Sequence, residues 1–263
     1  MEKRIIDQNV SLPQAFIKLG KSDHMLSYIK NGELRFSPAK VFVEMQEGND
    51  KIADRYEGTL HYPISHLVAA PIIGDENGMP IYGKVFKIAD TAELRLTNKT
   101  IQKIPFHCLY CYNNAPINAV VRLENYDQIV KEFPEYDSAV IICRVIEFLE
   151  RIKAKFEVYC NHVVYTDVTP TESEIENQIH ILFYKRKMFE QQKEFRIALP
   201  KLRIEEAHNY QIGSMEDIAY CIPLRALKHG IIIAENDEIF QQIKNDCEKS
   251  DFGIGSIELL DIY

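Results

Sequence analysis

The chain has 263 residues, 46% apolar and 27% charged, with 14 Tyr and 13 Phe but no Trp, and a formal net charge of −8. This length supports one large domain or two small ones with a substantial core. The acidic balance argues against a protein whose main partner is nucleic-acid backbone, which needs concentrated Lys and Arg.

MEKRIIDQNV at the N-terminus lacks the apolar stretch of a secretory signal, and no apolar run is long enough to cross a bilayer. The cysteines at 108, 111, 143, 160, 221 and 247 do not read as a disulfide framework in a chain of this size. The expected setting is the cytoplasm, with no membrane.

SDHMLSYIKNG (22–32) reads as a helix. A Ser-Asp capping pair opens it, Met25, Leu26 and Ile29 recur at helical spacing, and Gly32 stops it. ELRFS follows as a strand with Leu34 and Phe36 inward, ended by Pro38. AKVFVEMQEGNDKIADRYEG reads as a short helix and a polar loop. The stretch from 60 to 125 is mostly β, with HLVAAPII, YGKVFKIA, AELRLT and FHCLYCYN as strand-like runs and GDENG among the turns.

Beyond it lie a helix in NYDQIVKEF, a strand around 139–145, another short helix, and VYCNHVVYTDV as a strand pair or one long strand. TESEIENQIHILF opens on a capping box, Thr171 to Glu174, and continues as an amphipathic helix on Ile175, Ile179, Leu182 and Phe183. After 208 come short strands and the helix NDEIFQQIKNDCEKS. Strands and helices alternate without regular βαβ spacing. That predicts an α+β fold on a mainly antiparallel sheet with flanking helices, in one domain over 1–263, with 208–263 open to being a C-terminal extension.

There is no glycine-rich phosphate loop, no H-E-x-x-H and no G-x-S-x-G. Cys108 and Cys111 form a C-x-x-C pair, and Cys160 with His162 is a conceivable second half of a metal site. The pair sits in a strand-like run, however, where i and i+3 point to opposite faces, and free Cys is readily buried. No metal is expected. RYEGTLHY (55–62) follows a loop rich in Asp and Asn, and reads either as solvated loop or as ligand contact. FYKRKMF (183–189) is a local basic patch. It is the weaker pointer to nucleic acid, because the whole chain is acidic.

FEQQKEFRIALP (189–200) carries the most informative pattern. With Ile197 and Leu199 inward, the period of two puts Gln192, Glu194, Arg196 and Ala198 on the other face, which either meets water or lines a cleft. Gln192-x-Glu194 matches the Gln/Glu-x-Glu signature of ADP-ribosyltransferases. A carboxylate beside the ribose of NAD can hold a hydroxyl and stabilise the oxocarbenium-like charge that forms as nicotinamide leaves. A residue two positions earlier on the same face can orient the acceptor.

IKNGELRFSPAKVF, DRYEG and KMFEQQKEFRIAL together resemble a widespread family of bacterial and phage-borne domains of unassigned function. Its pattern is G-x-L-x-F-S, an acidic loop ending in Glu, then a Lys and an aromatic ahead of an E-x-E-[YF]-R strand. The matching residues are Gly32, Leu34, Phe36 and Ser37, then Asp54 and Glu57, then Lys187, Phe189, Glu194, Phe195 and Arg196, spread over 20–235. Such domains occur near phage-defence and toxin-like genes and are distantly similar to ADP-ribosyltransferases, so the resemblance implies a split β-sandwich and NAD as cofactor.

It further implies that Glu194 polarises the ribose, that Gln192 orients the acceptor, that Arg196 pairs with Glu57 or holds phosphate, and that Tyr56 or Tyr110 stacks on nicotinamide. Phe189 replaces the usual Trp, and Cys111 and Asn113 stand where a Ser is expected. Lys18 and His24 are the candidates for the basic residue of the first transferase strand. A non-catalytic relative that binds a protein or senses a nucleotide fits the same residues. Catalysis predicts Glu194 in a concave, aromatic-walled cleft with a perturbed pKa. A binding module predicts Glu194 tied to Arg196 or another base on an open face, with an apolar patch elsewhere.

Overall fold

The computed structural model describes residues 12–44, 57–64, 66–75, 77–112, 119–123, 125–168, 178–234 and 236–249. Eight strands form the main sheet: β1 (Ala15–Gly20), β2 (Glu33–Pro38), β3 (Pro105–Tyr112), β4 (Ser138–Ile142), β5 (Tyr159–His162), β6 (Glu194–Ala198), β7 (His208–Gln211) and β8 (Ala219–Pro223). Their order is β5-β6-β3-β1-β4-β8, with β2 joining β3 as a branch that carries β7. Every pairing in this sheet is antiparallel. The chain is therefore α+β, with helices flanking a large antiparallel sheet. β7 and β8, both after residue 207, contribute two of its strands.

The sheet forks at β3. One edge of β3 pairs with β6 from Phe106 to Tyr110. On the other edge β1 pairs with Tyr110–Tyr112 and β2 with Pro105–Phe106. Between these two pairings Lys18 Nζ donates to the Cys108 carbonyl at 2.9 Å, standing in for a strand partner.

Helix α1 (Ser22–Asn31) connects the two tines, and Gly32 ends it at φ 58 with its N–H on the Ser27 carbonyl. The N-terminal cap differs from the sequence reading. Lys21 takes the cap position, and Ser22 begins the helix with its N–H and hydroxyl on the Asp137 carboxylate at 2.7 and 3.2 Å. The cap is thus supplied across the fold rather than by the local Ser-Asp pair.

Period-two patterning places a core on each face. Phe16, Leu109, Phe195 and Ile197 point to one side and meet Met25, Tyr28 and Ile29 of α1 and Phe148, Leu149 and Ile152 of α2 (Val145–Lys153). The opposite side carries two smaller cores. Phe106 and Ala198 pack with Ile101, Leu182 and Phe183 at one end, and Ile17 and Ala139 with Leu123, Ile129 and Leu227 at the other. The face of β6 that bears Glu194 and Arg196 is therefore covered.

Its cover includes Gln178–Phe183, a 3-10 helix. The sequence reading makes this the end of an amphipathic α-helix. Ile179, Leu182 and Phe183 are buried as that periodicity requires, while Thr171, Glu174 and Ile175 lie outside the described residues. Three successive antiparallel pairings make a two-stranded ribbon: Thr59–Ile64 with Ala92–Thr97, Leu67–Ala69 with Phe86–Ala89 and Ile72–Gly74 with Pro80–Tyr82. Its turn is closed by Asp75 Oδ1, which accepts from the Asn77 and Met79 N–H groups at 2.8 and 2.7 Å. No helix among the described residues is long and apolar enough to cross a membrane.

Candidate functional site

Glu194 is the first residue of β6. The chain enters that strand from a second 3-10 helix, Lys187–Gln192, through Lys193 in the left-handed region at φ 41. A non-glycine residue there carries backbone strain. Lys193 is held in place by its N–H on the Glu190 carbonyl at 3.1 Å and by its carbonyl accepting from Cys111 N–H at 2.8 Å. The turn changes the placement of Gln192, which lies on the 3-10 helix and not on the strand face that simple alternation gives it. Gln192 still reaches Glu194 indirectly, because its Oε1 accepts from Lys185 Nζ at 2.5 Å.

Around Glu194 the structure assembles a buried ionic network. Oε1 accepts from Lys185 Nζ at 2.7 Å, while Oε2 accepts from Arg196 Nε and Nη2 at 2.9 and 2.7 Å. Arg196 Nη1 donates to both the Glu57 carboxylate and the Leu182 carbonyl. The guanidinium lies over the Phe106 ring at 4.7 Å, and the Lys185 ammonium over Phe189 at 4.9 Å. The Glu194 N–H donates to the Tyr165 hydroxyl at 2.8 Å. The side chains of Arg196 and Glu57 are 1% and 2% exposed, against 12% for Glu194. Of the two carboxylates, Glu194 is the more exposed.

Burial alone would push the Glu194 carboxyl up, but Lys185 and Arg196 outweigh it and hold the group well below the usual carboxylate range. Glu57 is buried more completely, and desolvation pushes it up against the pull of Arg196 and Lys185. Although burial lowers Arg196, its two carboxylate partners hold it above its ordinary value, so it stays charged.

Of the two roles the sequence leaves open for Arg196, the ion pair with Glu57 is the one that forms. Four of the guanidinium's five N–H groups are engaged, and a buried group so occupied cannot also hold a phosphate. Glu57 is likewise a support for Arg196 rather than a ligand contact. Tyr110 lies directly opposite Glu194 across the β3–β6 pairing and is half-buried against the Ile17–Leu123 core. Tyr56, Asp54 and Asn113 lie outside the described residues. Lys18 stands in the fork, its pKa lowered by burial and raised in turn by Cys108 and Glu194, while His24 is exposed on α1.

Cys108 and Cys111 point to opposite faces, Cys108 to the Phe106 core and Cys111 to the main core. Cys111 Sγ is 3.5 Å from His162 Nδ1, a pairing that could suggest a nucleophile. Burial and the Glu194 charge push its thiol up to about 12, so it stays protonated. Among the described residues no three His, Cys, Asp or Glu side chains converge as metal ligands would.

Sequence reasoning missed Lys185, Tyr165 and Phe106. Lys185 is visible in the sequence only as the first basic residue of the run FYKRKMF. That run is not one surface patch, since Lys185 is buried and spent on Glu194 and Gln192. No family model, no curated protein and no solved structure matches the chain.

Proposed function

We propose that the chain is an NAD-dependent ADP-ribosyltransferase-like protein acting in phage–bacterium conflict, with Glu194 as its catalytic carboxylate. The observation that carries this reading is the Glu194 carboxylate itself: ionised, held rigidly by two cations, and the more accessible of the two anions in the network. A fixed negative charge of this kind stabilises positive charge that develops next to it.

In this reading the bond between nicotinamide and C1′ of the ribose breaks, and its electron pair leaves with nicotinamide. Glu194 faces the ribose as positive charge spreads over C1′ and the ring oxygen. The acceptor's nucleophile adds to C1′ and gives up its proton. Gln192, tethered through Lys185, orients the acceptor, and Tyr110 or Tyr56 stacks on nicotinamide. Arg196 and Glu57 serve as positioning residues behind Glu194. The resemblance to domains found near phage-defence and toxin-like genes supports a setting in conflict, in the cytoplasm, as toxin, defence factor or phage effector.

NAD titrated calorimetrically into the purified chain should bind with a dissociation constant in the micromolar-to-millimolar range usual for enzyme substrates. Absence of binding throughout that range would overturn the reading. A second reading, a non-catalytic binding or nucleotide-sensing module, is favoured by one observation: both oxygens of Glu194 already have cationic partners. It predicts that NAD is not turned over.

A further inference from the structure

The ribbon between His66 and Thr91 raises a question that the ionic site does not answer. Ile72, Met79, Ile81, Tyr82, Phe86 and Ile88 are each more than half exposed there. Ile72 pairs with Tyr82, putting both on one face, while Ile81 is one residue along and on the other. Phe86 pairs with Ala69, so the neighbouring segment also shows apolar surface. A two-stranded ribbon apolar on both sides has no core of its own and is marginal in water. Each outer edge also presents backbone groups that no strand among the described residues pairs.

We propose that this ribbon is a dimerisation arm and that its occupant is the arm of a second copy of the chain. Three observations favour a second copy. First, the six side chains together expose on the order of 800 Å² of apolar surface over the two faces of the ribbon, where a scattered single apolar side chain would need no explanation. That matches the roughly 800 Å² each partner contributes to a standard interface. Second, residues 66–91 hold two lysines (Lys84, Lys87) against three carboxylates (Asp75, Glu76, Asp90), a net of −1 in a chain of −8. Charge thus opposes contact between the bodies far more than contact between the arms. Third, an antiparallel ribbon with open edges is self-complementary across a two-fold axis, where edge pairs with edge and face covers face.

The apolar stretch begins at Ile72, fifteen residues after Glu57, so the dimer would form without using the residues of the ionic network. The proposal is independent of whether NAD is a substrate.

Sedimentation equilibrium of the full chain over a micromolar concentration series tests it, with Ile72→Lys and Phe86→Glu as variants. Both positions are exposed, so far-UV circular dichroism should be unchanged. The wild type should reach twice the 30.5 kDa chain mass. Each variant should raise the dimer dissociation constant by roughly thirtyfold or more, as loss of an interface hot spot does. A wild type that stays at the single-chain mass throughout would overturn the proposal, including the case in which a different protein covers the arm. So would a dimer that both variants leave intact.

Discussion

His107 is buried where β2 meets β3, and its two ring nitrogens have fixed roles. The Arg35 carbonyl, 2.8 Å from Nδ1, can only accept, so Nδ1 carries the proton and Nε2 takes the Tyr28 hydroxyl at 3.0 Å. Burial, with the Lys18 charge adding to it, pushes the ring down to about 3, against about 6.5 in an unfolded chain. The unfolded state therefore takes up the proton first, and stability falls as pH drops from about 6.5 toward 3, by up to about 1.4 kcal/mol per pH unit from this ring. Urea unfolding from pH 7 to pH 4 should show that slope, and His107→Gln should lose it. Glu194 behaves differently: its depressed pKa keeps its contribution in place until pH falls through and below the ordinary carboxylate range. Glu57, pushed up by burial, acts in the opposite sense, so the difference between wild type and His107→Gln isolates the histidine. Removing Arg196 leaves the buried Glu57 without its ion-pair partner and Glu194 with Lys185 alone. Arg196→Met should lower unfolding free energy by about 3–5 kcal/mol in denaturant titrations. Arg196→Lys should recover only part of that, having three donors where the guanidinium has five.

Two glycines separate backbone need from packing need at the scale of elements. Gly32 and Gly78 are both left-handed, at φ 58 and φ 78. A Cβ on Gly32 would clash with the Gly213 carbonyl oxygen, whereas one on Gly78 meets nothing within 4 Å. Gly32→Ala should therefore cost clearly more than the ~1 kcal/mol expected for strain alone, and Gly78→Ala about that much, both read from thermal melts. The same helix end shows what was legible in the sequence. The αL stop at Gly32, the inward Leu34 and Phe36, the alternation of Phe195 and Ile197 against Glu194 and Arg196, and the opposed cysteines all follow from local periodicity. Where the sequence misled, a distant partner decided. Asp137 caps α1 in place of its own Ser-Asp pair. Lys193 turns Gln192 off the strand. The 3-10 helix from Gln178 to Phe183 gives the Leu182 carbonyl to Arg196. Lys185, nine residues before Glu194, carries no spacing that marks it as that residue's partner.

For the whole molecule, the fork at β3 determines what the site can be. The fork leaves Lys18 on the Cys108 carbonyl at one edge of β3, the β6 pairing sets Glu194 opposite Tyr110 at the other, and the branch with β7 packs Tyr210 against the main core. Buried ion pairs contribute little to stability compared with apolar packing of the same volume. A network of Glu57, Arg196, Glu194 and Lys185 therefore suits the task of fixing one carboxylate more than that of holding the sheet together. The most direct measurement of that claim is nicotinamide release from NAD by wild type and by Glu194→Gln, with and without cell lysate as a source of acceptor, the fold of both checked by circular dichroism. The account predicts release by the wild type and a loss of at least about a hundredfold in the folded variant, the scale of removing one group that stabilises developing charge. Equal release by both proteins, or none from the wild type with lysate present, would contradict it.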